Sequence, residues 1–118
     1  YAPNKAEVMH LIGDLNGKDI LIIDDMIDTA GTTVNAADAA MSNGANSVTA
    51  VATHAVLSGP AIERIKGSVI KKLIVTDTVS ITDDKKMDNM EIVTVSKVFG
   101  EAIQRIYDGE SVSALFEF

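Results

Sequence analysis

At 118 residues the chain has room for one domain with a real core, and a hydrophobic share of 47% excludes a disordered segment. Seventeen acids against ten basic residues give a net charge of −7, and Lys71-Lys72 and Lys85-Lys86 are the only basic doublets, so a nucleic-acid partner is not expected. There is no cysteine, which excludes disulfides and thiolate metal sites and fits a cytoplasmic protein; no apolar run approaches the ~20 residues of a membrane span.

The opening "YAPNKAEV" does not begin with Met, which raises the expectation of a fragment of a longer protein. "AEVMHLIG" reads as a short strand, and "GDLNGK" as a tight turn set by Gly13, Asp14, Asn16 and Gly17. "DILIID" is a continuously apolar strand, the pattern of a strand buried on both faces of a parallel sheet. From about Thr32 the spacing of Val34, Ala37 and Met41 predicts a helix, with Gly44 at its C-terminal cap. "SVTAVATHAV" predicts a second strand, "SGPAIERIKG" a short helix begun by Pro60 and ended by Gly67, and "IKKLIVTDTV" a third strand. "ITDDKKMDNM" reads as a polar loop and "EIVTVS" as a fourth strand. Ser96 is placed to cap a last helix whose apolar face is Phe99, Ala102, Ile103 and Ile106, closed by Gly109; the tail "ESVSALFEF" ends apolar. Strands alternating with helices define an α/β domain with a mainly parallel sheet flanked by helices.

The chemistry gathers where the first strand ends, in "DDMIDTAGTT". Ligands of open parallel sheets bind beyond the carboxyl ends of the strands. Thr29, Thr32 and Thr33 offer hydroxyls, Gly31 lets the backbone turn and approach a ligand, and the first amides of the next helix have no partners within it. That is a phosphate cradle. Asp24 and Asp25 cannot share the same anion, because a carboxylate ~4 Å away repels it by about 4 kcal/mol at an effective dielectric of 20. They suit sugar hydroxyls or Mg²⁺ instead. An acidic pair after a strand also occurs as a solvated strand end, and Asp28 has the residue type of a helix cap; it is the combination in one loop that describes a sugar phosphate, diol at the acids and phosphate at the threonines. Neither G-x-x-x-x-G-K-[ST] nor G-x-G-x-x-G is present.

"IIDDMIDTAGTT" resembles the phosphoribosyl-binding loop of the type I phosphoribosyltransferase fold, and with "THAVLSGPAIERI" and "LIVTDT" downstream the chain is similar to ribose-phosphate diphosphokinases from about Pro3 to Phe116. The resemblance implies transfer of the diphosphoryl group of Mg-ATP to ribose 5-phosphate. It places Asp24 and Asp25 at the ribose hydroxyls, directly or through Mg²⁺. Asp28, Thr29, Ala30, Gly31, Thr32 and Thr33 would then wrap the 5-phosphate, Asp28 through its backbone or as the loop's brace. It also implies that residues 1–118 are a C-terminal domain. The ATP-binding domain and the catalytic residues would lie upstream of Tyr1, so that this chain alone is inactive. "SVSALF", with Ser111, Ser113 and Phe116, resembles part of the family's regulatory nucleotide site, shared between subunits of a hexamer; a plain docked C-terminus accounts for the same residues.

Other readings of the residues stand beside this one. A phosphoribosyltransferase acting on a nucleobase would use the same loop, and a non-catalytic regulatory paralogue would keep the fold, although its loop should be damaged. A receiver domain, with Asp77 and Lys97 in its phosphoacceptor machinery, leaves "TAGTT" without purpose. His10 and His54 lack a second histidine at ligand spacing and read as structural, Asp77 as either a turn residue or a site neighbour, and the methionines as core filling.

Overall fold

The computed structural model describes residue 11 and residues 13–117. The strand expected over "AEVMHLIG", and His10 with it, fall outside these residues except for Leu11 and Gly13. Among the described residues four strands, β1 (Asp19–Ile27), β2 (Ser47–Ala55), β3 (Ile70–Thr76) and β4 (Met90–Val93), lie side by side in that order, each parallel to the next. The helices α1 (Gly31–Ser42), α2 (Ala61–Lys66) and α3 (Ser96–Asp108) connect or follow them. The expected α/β class with a parallel sheet is what the chain adopts.

The core lies on one face of the sheet. Ile22, Ala50 and Leu73 share a register level, as do Asp24, Ala52 and Val75, so their side chains point the same way. On this face Val48, Ala50, Ala52, Leu73 and Val75 are fully buried together with Ala37, Ala40, Ala61 and Ile65 from α1 and α2. Small alanines on both layers let the helices sit close to the sheet.

The other face departs from the expectation of two-sided burial. Ile23, Val51 and Ile74 share a level there, and Leu21 and Ile23 are 54% and 73% exposed. Among the described residues β1 is an edge strand of the sheet, and α1 and α2 both cover the opposite face, so a continuous apolar run reports the need for two-sided cover without supplying it. β1 also runs on through Asp24 and Asp25 to Ile27 instead of stopping at the acids.

The chain stops α1 as expected at glycine. Gly44 has φ 87°, and its amide and that of Ala45 donate to Met41 and Ala40, the pairing of a left-handed helix stop. A Cβ there would fall 2.7 Å from Asn16 Oδ1, so backbone angle and the neighbouring turn both require glycine. Ser96 does not cap α3: the cap position is Val95 and no side chain caps it. Asp77 takes the Val95 amide at 2.9 Å instead, from the end of β3. The polar loop holds a short 3-10 turn at Asp83–Lys85, and the tail another at Ser113–Phe116.

Candidate functional site

Residues 24–33 line one cavity of about 270 Å³ at the carboxyl edge of the sheet, with Asp24 and Asp25 in the last part of β1 and Thr32 and Thr33 in the first turn of α1. All the loop residues singled out in the sequence, Asp24, Asp25, Asp28, Thr29, Ala30, Gly31, Thr32 and Thr33, therefore meet in a single pocket. Among the described residues, no acceptor takes the amides of residues 29–33. They are the orphan donors of a helix start, and they are available to an anion.

The turn that exposes them is made by Ala30, not by Gly31. Ala30 sits at φ 64°, ψ 6°, and Gly31 is already the first helical residue. A left-handed residue followed by a right-handed one points successive amides into a shared concavity. For a residue with a Cβ this conformation costs roughly 1–2 kcal/mol. The Ala30 side chain is only 4% exposed and packs into the core, which offsets part of that cost and explains why a small apolar residue stands there.

Asp24 and Asp25 occupy the other end of the loop. The Asp25 amide donates to Asp24 Oδ1 at 2.8 Å, which holds the Asp24 carboxylate against the backbone of its neighbour. Among the described residues no group of three or more His, Cys, Asp or Glu side chains could hold a metal alone. Two neighbouring carboxylates on a cavity fit a different arrangement, in which Mg²⁺ takes a small number of protein oxygens and completes its shell from substrate and water.

Asp28 is not the helix cap. Its carboxylate accepts the Ser58 hydroxyl, and its carbonyl accepts the Ser58 amide at 3.0 Å. The Leu57 amide donates to the Ile27 carbonyl at 3.0 Å, with Leu57 itself at φ 49°. Arg64 Nη1, from α2, donates to the Thr29 carbonyl at 3.0 Å. The segment after β2 thus clamps the loop from behind. Ser58 and Arg64 were not legible as loop residues, because they lie 30 and 35 positions away from their partners and only the β1–β2 pairing brings them close.

His54 Nδ1 lies 2.7 Å from Thr78 Oγ1, in a cluster where the Thr76 hydroxyl donates to the Thr53 carbonyl at 2.7 Å. Asp77 lies at the start of α3, beside Val95, Ser96 and Phe99. Hydrogen bonds from the Val95 amide and the Thr94 side chain hold its carboxyl below its ordinary range. In the tail, the Arg105 guanidinium donates to the Ser111 carbonyl at 3.2 Å, the Ser113 amide donates to Ser111 Oγ at 3.2 Å, and Phe116 is 71% exposed.

A parallel sheet with an amide-rich, left-handed turn leading into its first helix defines an α/β domain suited to an anionic ligand. The chain belongs to the phosphoribosyl synthetase-associated domain family, which matches residues 1–117. It is 58% identical over 114 residues to a ribose-phosphate pyrophosphokinase of Chlorobaculum tepidum, covering 97% of this chain and 35% of that protein. It is 55% identical over 115 residues to a ribose-phosphate pyrophosphokinase of Clostridium tetani, covering 98% of this chain and 36% of that one. The crystal structure of phosphoribosylpyrophosphate synthetase from Mycobacterium smegmatis superposes with a TM-score of 0.81 at 35% identity, over 83% of this chain and 33% of that structure. The chain spans about a third of the length of the curated relatives it matches. Among the described residues no helix is long and apolar enough to cross a membrane.

Proposed function

We propose that this chain is the ribose 5-phosphate-binding part of a ribose-phosphate diphosphokinase, forming the C-terminal domain of a longer, cytoplasmic protein. The observation that carries the reading is the single cavity lined by residues 24–33, a stretch that holds unpaired amides, threonines and a carboxylate pair. The 5-phosphate accepts hydrogen bonds from the amides of residues 29–33 and from Thr29, Thr32 and Thr33. Each charge-assisted bond contributes about 1.5–3 kcal/mol. Asp24 and Asp25 accept from the ribose hydroxyls or bind Mg²⁺, which when bound neutralises charge on the diphosphoryl group and orients it. Asp28 holds the loop shut against Ser58 rather than touching the phosphate, consistent with its like charge.

In the reaction the anomeric hydroxyl of ribose 5-phosphate attacks the β-phosphorus of ATP, its proton leaves, and AMP departs with the electrons of the broken α–β bridge. This chain's part is to hold the sugar phosphate in place. ATP and the catalytic groups belong to the remainder of the protein, which lies upstream, and the assembly is a homo-oligomer, a hexamer as the family resemblance implies. Ser111, Ser113 and Phe116 are the chain's share of a regulatory nucleotide site; the Ser113 hydroxyl and an exposed ring on one short turn, with Ser111 just before it, support this.

The test compares the longer protein with this chain under Mg-ATP and ribose 5-phosphate. The longer protein should form phosphoribosyl diphosphate. The chain alone should bind ribose 5-phosphate but turn over at less than a tenth of that rate, since orienting both reactants contributes about 7–11 kcal/mol to such reactions. Binding of ribose 5-phosphate by neither would overturn the reading, and equal turnover by both would overturn the division between two domains.

A further inference from the structure

The geometry points to Arg64 as the residue that sets the anion cradle, a positioning role at the site proposed above and resting on that reading. Its guanidinium reaches from the far side of the loop to the Thr29 carbonyl at 3.0 Å. In a trans peptide the carbonyl and the following N–H point in opposite directions. Holding the Thr29 carbonyl towards α2 therefore turns the Ala30 amide to the ligand side and selects the left-handed turn at Ala30. The same hydrogen bond draws off a carbonyl dipole that would otherwise oppose an incoming phosphate.

A second observation comes from Gly31. A Cβ built there would lie 3.5 Å from Arg64 Nη1. The guanidinium therefore lies against the loop backbone at Gly31 as well as at Thr29. Among the described residues Arg64 has no carboxylate within ion-pair distance. Its charge is thus uncommitted beside a loop that carries Asp24, Asp25 and Asp28. It offsets their field at the phosphate end without touching the ligand. Ser58 completes the device by tying the Asp28 carboxylate to its own hydroxyl.

The experiment uses the ¹⁵N,¹³C-labelled chain with inorganic phosphate and ribose 5-phosphate as probes, in wild type, Arg64→Ala, Arg64→Gln and Arg64→Lys. Lys66→Ala, on the same helix but without a loop contact, is the control. The expected result has two parts. Without ligand, the Thr29 carbonyl and the Ala30 and Gly31 amide signals shift in Arg64→Ala and less in Arg64→Gln, which keeps a donor. With ligand, the dissociation constant for phosphate rises about tenfold in Arg64→Ala, the size of one charge-assisted hydrogen bond. Arg64→Lys falls between, Lys66→Ala matches wild type, and millimolar methylguanidinium restores part of the affinity of Arg64→Ala. A merely structural role gives no such rescue. If wild type and Arg64→Ala bind phosphate equally, with unchanged Ala30 signals, the assignment to Arg64 is overturned and the site reading stands. If wild type binds neither probe, the site reading is overturned and the assignment with it.

Discussion

Two regions of this molecule carry clear apolar stripes: one buries the stripe that faces its helices, and the other buries none. In the region of β1–β3, α1 and α2, Val48, Leu73, Val75 and Ile65 have almost no exposed surface. In α3, no residue is buried, and Val98, Phe99, Ile103 and Ile106 are 55–69% exposed. The periodicity of α3 is as good as any in the chain, so helical pattern tells which face needs cover and says nothing of what provides it. The candidate site lies wholly in the packed region, where the clamp from Ser58 and Arg64 can hold it.

The comparison is most easily broken in stability. Leu73→Ala should cost about 2–5 kcal/mol, the usual penalty for emptying a packed site. Ile103→Ala should stay within about 0.5 kcal/mol. Urea denaturation of both variants checks this. Equal losses would mean that α3 is buried in solution, and a loss for Ile103→Ala that grows with protein concentration would identify a second copy as its cover.

Ligand binding sharpens the same contrast. Thr32→Val should weaken both inorganic phosphate and ribose 5-phosphate by about tenfold or more, the loss of one hydrogen bond to a charged group. Ile103→Ala should leave both unchanged. Calorimetric titration distinguishes the two. A smaller effect is expected at the foot of α1, where Gly44→Ala meets both the positive φ and Asn16. The conformational part alone is roughly 1–2 kcal/mol, read as a lowered melting temperature with phosphate affinity retained.

The smallest effect concerns the join between the regions. The folded-state carboxyl of Asp77 lies below its ordinary value of 3.8 because it accepts from Val95 and Thr94. Its contribution is therefore fully present above that ordinary value and is lost as pH falls through the lower folded one. The Val95 amide signal should titrate with Asp77 on acidification, while the loop amides of residues 29–33 do not follow it. Asp77→Asn should remove that titration and leave phosphate binding intact.

Much of this architecture was legible because it is local. β-rich apolar runs marked β2 and β3, and Gly44 and Gly109 marked helix ends through the angles only glycine takes easily. The loop was legible as a unit because its polar residues are contiguous. What was not legible depends on distance in sequence. β1 continues past Asp24 because it keeps pairing with β2 as far as Ala55, and a carboxylate at a strand's open end costs little. The left-handed turn falls on Ala30 rather than Gly31 because core burial and the Arg64 hydrogen bond outweigh intrinsic preference. Asp77 displaced Ser96 as the anchor of α3 for the same kind of reason, a partner supplied by a neighbouring strand.

The central claim is that one loop divides its labour, phosphate at the amide and threonine end and ribose at the acids. The most direct measurement is a three-ligand titration, with inorganic phosphate, ribose and ribose 5-phosphate, of wild type and of Asp24→Asn with Asp25→Asn. The expected result is that the double variant keeps or improves its affinity for inorganic phosphate, because two like charges are gone. It should also lose the extra affinity that ribose 5-phosphate has over phosphate in wild type, along with the Mg²⁺ dependence of that extra affinity. Loss of phosphate binding in the double variant, with its circular dichroism unchanged, would contradict the claim.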